Sequence, residues 1–232
     1  MESPSSALLA RYPLILPFAD MTDDIDVPSP IDFSDPGQAR QWAEDATIKR
    51  PWRPDFFRAF TNEIRTRFNE NAKIIELGSG PGLLAEEILC SCSLRRYVLL
   101  DASTAMHDMA RDRLLGFDAR IAHVTRDFRS ENWTDGLRLF DAVVTMQSVH
   151  EVRHWRHVAK LYQQIMSIIV PGGYFLMADH YVTAENGRNP SLYFSRSGSK
   201  PLLRHIGITF TRITRSKIGI RKVSAKRSQH SR

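Results

Sequence analysis

The chain has 232 residues, 42% of them hydrophobic and 25% charged, with a formal net charge of +6. Those proportions exclude a collagen-like, disulfide-framework or wholly disordered class, and a chain of this length buries a sizeable core without staples. No apolar run approaches the roughly 20 residues of a bilayer span, so no membrane partner is expected. The first residues, Met1 to Arg11, lack the pattern of a secretory signal. The two cysteines, Cys90 and Cys92, sit two apart in a predicted helix, where side chains do not face each other. No disulfide is expected between them, and a reducing, cytoplasmic setting fits. Two cysteines also cannot make a four-cysteine zinc site.

Residues 1–37 read as an arm or lid, because Pro13, Pro17, Pro28, Pro30 and Pro36 break any long helix there. A helical pattern follows from Gln38 to Lys49, and Pro51-Trp52-Arg53-Pro54 interrupts it. The next helix runs from about Asp55 to Asn69, with Phe56, Phe57, Phe60, Ile64 and Phe68 at helical spacing. Tyr12, Phe18, Trp42 and Trp52 are candidates for an aromatic cover, although aromatic residues at helical spacing more often belong to a core.

The period then changes. Lys73 to Leu77 is a short apolar strand, a glycine-rich turn follows, and Leu83 to Cys90 is a helix. Tyr97 to Asp101 is a second strand and Thr104 to Leu115 a helix. Arg120 to Val124 and Phe140 to Met146 are the third and fourth strands. His154 to Ile169 is a helix ended by Pro171-Gly172-Gly173, and Tyr174 to His180 is a fifth strand. Strands alternating with helices imply a parallel sheet covered on both faces, and continuous apolar runs agree with strands buried on both sides. Farther on, Ser191 to His205 is a candidate helix, and Ile208–Ile213 with Ile218–Val223 read as a half-exposed hairpin.

The turn Gly78-Ser79-Gly80-Pro81-Gly82 lets backbone approach a ligand closely. A dinucleotide fingerprint would place its third glycine where Leu83 stands. Glu76, on the preceding strand, would repel a pyrophosphate but favour a cationic group. Ile75 to Gly82 resembles the first motif of class I S-adenosylmethionine-dependent methyltransferases, and the resemblance extends from about Gln38 to Asp179, less securely to Val223. It implies an α/β Rossmann-like sheet of seven strands in the order 3-2-1-4-5-7-6, the seventh antiparallel, with helices on both faces. S-adenosyl-L-methionine would be the cofactor and methyl transfer the activity.

The same resemblance implies the site. Glu76, Gly78, Gly80 and Gly82 would hold the cofactor's amino-acid end. Asp101, with Ala102 beside it, would accept both ribose hydroxyls, leaving Ser103 as the helix cap. Asp127 and Phe128 would take adenine, against the alternative of a turn aspartate paired with Arg126 or Arg129. Met106 would line the adenosine pocket, and Met146 and Gln147 the methyl end. The stretch Thr145-Met146-Gln147-Ser148 is not the Asn/Asp-Pro-Pro-Tyr/Phe motif of amino-directed nucleic-acid enzymes, so a small-molecule acceptor is expected.

His150-Glu151-Val152-Arg153-His154 matches the H-E-x-x-H zinc signature, with His157 the nearest third ligand, but it straddles a loop-to-helix boundary and no metal is expected. His150 is instead the candidate catalytic residue, a general base or an orienting group, with His180 and Tyr181 in an equivalent position. Residues 186–232 hold twelve Lys or Arg and no Asp or Glu, leaving 20 basic and 26 acidic residues before them. The final stretch, 224–232, reads as a solvated basic tail beyond a domain of 38–223. Nucleic acid is a possible but less favoured partner. The rivals are therefore an RNA methyltransferase, a dinucleotide oxidoreductase and a non-catalytic protein that binds S-adenosylmethionine.

Overall fold

The computed structural model describes residues 29–137, 139–152, 155–182, 204–213 and 218–223. Helix α1 spans Pro36–Ile48; the Asp35 side chain accepts from the Gln38 N–H at 2.8 Å, and Pro36 starts the helix without an orphaned donor. Helix α2 spans Arg53–Arg67 and buries Phe56, Phe60 and Ile64 on the face the spacing predicts. Then come β1 (Lys73–Leu77), α3 (Leu83–Ser91), β2 (Arg96–Asp101), α4 (Thr104–Arg113), β3 (Ile121–Thr125), β4 (Phe140–Met146), α5 (Trp155–Ser167) and β5 (Ile169–Val182). Short 3₁₀ turns at Leu115–Phe117 and Val149–Val152 follow α4 and β4. Ser103 caps α4 by accepting from the Met106 N–H at 3.2 Å.

Strands β1 to β5 are parallel, with β1 at the centre between β2 and β4. The core has two layers. Ile74, Tyr97, Leu99 and Val144 meet Phe60, Ile64 and Ile88 from α2 and α3, while Ile75, Leu77, Val98 and Val143 meet Val158, Leu161 and Ile165 from α5. Alternate residues of one strand thus feed opposite layers, which is why the strands read as continuous apolar runs. Among the described residues no helix is long and apolar enough to cross a membrane.

Two expectations need correction. The sheet order is β3-β2-β1-β4-β5-β6-β7, so the last two strands, β6 (Arg204–Ile213) and β7 (Ile218–Val223), do not take the order 7-6. Both are antiparallel to their neighbour, as a hairpin requires. The longer strand, β6, pairs with β5 from Tyr174↔Arg212 to Val182↔Arg204, and the shorter β7 takes the edge. The second correction concerns Pro171-Gly172-Gly173, which does not separate α5 from the strand but lies inside β5. Ile169 already pairs with Phe140, the register then shifts, and pairing resumes at Ala142↔Tyr174. Pro171 has no N–H for a regular ladder, and glycines tolerate such an irregularity. The candidate helix at Ser191 to His205 lies outside the described residues except for Arg204 and His205, which open β6. Tyr12 and Phe18 lie outside them as well.

Candidate functional site

At the carboxyl end of the central strand the chain turns sharply. Gly78, Gly80 and Gly82 have φ of 64°, 53° and 77°, values that L side chains rarely adopt. The Gly78 and Ser79 N–H groups both donate to the Leu100 carbonyl, at 2.8 and 3.1 Å, which pins the turn to the end of β2. A Cβ on Gly78 would lie 2.3 Å from Ser148 Oγ, so the turn packs hard against the chain leaving β4. A Cβ on Gly80 would meet only Trp42, at 4.0 Å, because this part of the turn borders a cleft.

Asp101 closes the turn from the side. Its Oδ2 accepts from the Gly80 N–H at 2.8 Å and its Oδ1 from the Ser103 N–H at 2.9 Å. Burial raises the pKa of its carboxyl, against the pull of those donors. Ser103 caps α4, so Asp101 is not the cap and spans two loops instead. Ala102 beside it is exposed.

The cleft measures about 30 Å³ and is bordered by Trp42, Arg53, Glu76, Ser79, Gly80, Met146, Gln147 and Ser148. Glu76 is 2% exposed and accepts from the Tyr97 hydroxyl at 2.8 Å. Burial pushes its pKa up to about 8, with Asp101 adding to the rise and the Tyr97 and Arg53 groups opposing it. Arg53 is 7% exposed, and its Nε and Nη1 have no hydrogen-bond partner. The guanidinium lies 5.5 Å from the ring centres of both Trp42 and Phe57, and Arg50 covers Trp42 at 5.3 Å. Ser79 Oγ is also buried and unpartnered. Trp42 meets Phe33 edge-on at 5.6 Å and so covers the turn, whereas Trp52 packs edge-on to Phe56 at the margin of the core.

The other expected site residues are distributed around the same end of the sheet. Phe128 reaches the glycine turn, 3.5 Å from where a Gly78 Cβ would stand. Asp127 takes the pairing held open as its alternative: the Arg129 Nε and Nη2 donate to its two oxygens at 3.0 and 2.7 Å. Burial raises the Asp127 pKa, but those donors outweigh it and the net shift is downward. Met106 is buried in α4. Met146 ends β4 at the cleft, and Gln147 follows with φ of 56°, its N–H donating to the Ala178 carbonyl at 2.7 Å.

His150 stands in the 3₁₀ turn after β4. Its Nδ1 lies 2.7 Å from Asp179 Oδ1, its N–H donates to Asp179 Oδ2 at 3.1 Å, and its Nε2 lies 3.2 Å from Glu151 Oε1. Desolvation lowers the imidazole pKa, but hydrogen bonds to Asp179 and then Glu151 outweigh it and carry the value to about 9. The ring is therefore an imidazolium at neutral pH. Because the folded value exceeds the ordinary 6.5, the stability this group contributes is full below about 6.5 and is lost as pH rises through about 9. Melting temperatures measured from pH 6 to 9.5 should fall less steeply for His150→Gln than for the wild type; parallel profiles would refute the assignment. Among the described residues no group of three or more His, Cys, Asp or Glu side chains could hold a metal ion. The His157 side chain is exposed, while the side chains of His154, His180 and Tyr181 lie outside the description.

Three residues at this end of the sheet carry little or unread signal in the sequence. Arg53 sat in a proline-bounded interruption that signals only a helix break, and Ser79 was one residue of a glycine turn. Asp179 had a legible signal: an acid directly after the apolar run Phe175 to Ala178 needs a partner when the strand is buried.

The family model described as a methyltransferase domain matches residues 50–206. No curated protein matches the chain. Among solved structures, an O-methyltransferase family protein from Burkholderia thailandensis is 18% identical with a TM-score of 0.52, covering 67% of this chain and 45% of its own. A candidate S-adenosyl-L-methionine-dependent methyltransferase from Methanococcus maripaludis is 22% identical with a TM-score of 0.51, covering 65% and 66%. A Haloferax volcanii complex of the Trm112 methyltransferase activator with a candidate methyltransferase gives 20% identity and a TM-score of 0.50, covering 65% and 61%. The chain thus spans about half to two thirds of the length of these structures, and at such identities the likeness is one of fold.

Proposed function

Because the chain belongs to the methyltransferase domain family, we propose that it uses S-adenosyl-L-methionine to methylate a small molecule. The single observation that carries this reading is the charge arrangement over the glycine turn. Buried Glu76 and buried Arg53, the latter with two unpartnered nitrogens, border one cleft with a turn whose backbone is open at Gly80. Burial holds Glu76 mostly as the neutral acid at neutral pH, and the ammonium of a zwitterionic amino-acid end would draw it back to a carboxylate beside the Arg53 guanidinium, a partner that a pyrophosphate cannot supply.

In this reading Gly78, Gly80 and Gly82 bring backbone against the ligand, and Asp101 and Ala102 border the ribose. Each carboxylate oxygen of Asp101 has a second lone pair beyond the one its N–H donor uses. Asp127, Phe128 and Met106 lie on the adenine side, and Met146 and Gln147 at the methyl end. The bound cofactor supplies an electrophilic methyl group on a sulfonium. What remains for this chain is alignment and exclusion of water. His150 accordingly acts as a positioning residue rather than a base: both its ring N–H groups are directed at carboxylates, Asp179 and Glu151, which it holds in place after β4. A small-molecule acceptor is supported by the stretch Thr145 to Ser148, which lacks the Pro-Pro-aromatic pattern of amino-directed nucleic-acid enzymes. The domain would cover 38–223, with the arm 1–37 and the basic tail 224–232 outside it.

The experiment is ligand-induced stabilisation. S-adenosylhomocysteine should raise the melting temperature, with the rise growing with its concentration, and NAD should not. Gly80→Arg should abolish the rise while the unliganded protein still melts cooperatively, since a side chain there projects into the cleft rather than into the core. Stabilisation by NAD alone would overturn the proposal.

A further inference from the structure

Trp42 gathers two positive charges at the border of the cleft. The Arg50 guanidinium lies 5.3 Å from the centre of its ring and the Arg53 guanidinium 5.5 Å. Such contacts use the negative face of the ring and leave the guanidinium N–H groups free to donate. The two like charges repel: burial, followed by Arg50, lowers the Arg53 pKa to about 10. Among the described residues no acid pairs with either guanidinium. Asp45, the acid that acts on Arg50, is bridged to Lys49, and buried Glu76 accepts from Tyr97. The turn between α1 and α2 thus carries a concentrated positive charge that the protein does not itself neutralise.

We propose that Arg50, held on Trp42, recognises an anionic group, carboxylate or phosphate, on the methyl acceptor. The inference rests on the methyl-transfer reading above and names the class of acceptor. In that reading Arg53 serves the cofactor's amino-acid end, which leaves Arg50, half-buried rather than buried, for a second ligand. Trp42 borders the same cleft as Met146 and Gln147, the residues placed at the methyl end, so an acceptor that reaches the methyl group lies beside the ring that carries Arg50. A planar guanidinium matches a carboxylate or a phosphate with two parallel bonds. The ring fixes that group before the ligand arrives, which reduces the ordering cost of binding. A cationic acceptor would add a third positive charge to the same corner and is thereby selected against.

The test supplies the full-length protein with labelled S-adenosyl-L-methionine and the small-molecule filtrate of a cell extract, separated at neutral pH on an anion exchanger. Methyl transfer should be supported by the retained fractions. Phosphatase treatment of the active fraction then distinguishes the sources: activity lost points to a phosphate ester, activity kept to a carboxylate. With that fraction, Arg50→Gln should raise KM about tenfold or more while kcat changes less than about threefold, the signature of a lost binding contact. Arg50→Lys should be intermediate, because it keeps the charge and loses the fork. By calorimetry Arg50→Gln should bind S-adenosylhomocysteine at least as well as the wild type, since a like charge beside Arg53 is gone. Activity confined to the unretained fractions overturns the proposal, and so does an unchanged KM in Arg50→Gln. Equal losses of acceptor and S-adenosylhomocysteine binding overturn it as well, by making Arg50 a structural residue. If no fraction accepts a methyl group, the methyl-transfer reading falls and this inference with it.

Discussion

Gly78→Ala should lower stability by about 2–5 kcal/mol, the sum of a left-handed non-glycine residue and an overpacked contact. The backbone φ of 64° already disfavours any Cβ, and the methyl would stand 2.3 Å from Ser148 Oγ and 2.5 Å from Ser148 Cβ. Rotating the hydroxyl away cannot help, because Ser148 Cβ is fixed to the backbone and its Oγ donates to the Gly78 carbonyl at 3.1 Å. The chain would have to separate the central turn from the segment after β4, which opens the sheet's carboxyl edge. For a domain of this size the melting temperature should drop by on the order of 10 °C. Adding Ser148→Gly should return the part due to overlap and leave the part due to backbone strain. A melting temperature within a degree of wild type would show that the turn is not packed in this way.

Asp101→Ala should weaken S-adenosylhomocysteine binding by roughly ten- to a hundredfold and also destabilise the unliganded protein by about 1–3 kcal/mol. The second effect distinguishes this site from a simple contact residue. Asp101 accepts from Gly80 on one side and Ser103 on the other, so alanine orphans a donor in the ligand turn and another at the start of α4. Asp101→Asn should be intermediate, since an amide keeps one acceptor oxygen. The measurement is paired: urea midpoints without ligand and affinities by calorimetry. Lost affinity with an unchanged midpoint would mean that the carboxylate serves the ligand alone.

Much of the fold was legible because its signals are local. The strand Phe140 to Met146 matches the observed β4 residue for residue, and the glycine turn announced the strand-to-helix joint. Ser103 could be assigned the cap of α4 because a hydroxyl ahead of a helix has a defined partner. The misreadings share one cause, partners distant in sequence. Pro171-Gly172-Gly173 resembles a stop until β4 is seen to continue pairing around it. Arg53 gave no sign of burial because an arginine beside two prolines ordinarily faces water; only the packing of α2 under Trp42 puts it in the cleft. The order of the last two strands depends on which of them pairs with β5, a long-range contact that no single segment contains.

The clamp at the far end of β5 has a wider consequence. Two successive residues there, Ala178 and Asp179, grip Gln147 and His150 across the gap to the neighbouring strand. The rim of the cleft is thus set by the height of one strand relative to another, as a lintel is set by its posts. Substitutions at the back of the sheet that slide β5 along β4 would therefore move Gln147, which lines the cleft, and His150 beside it together.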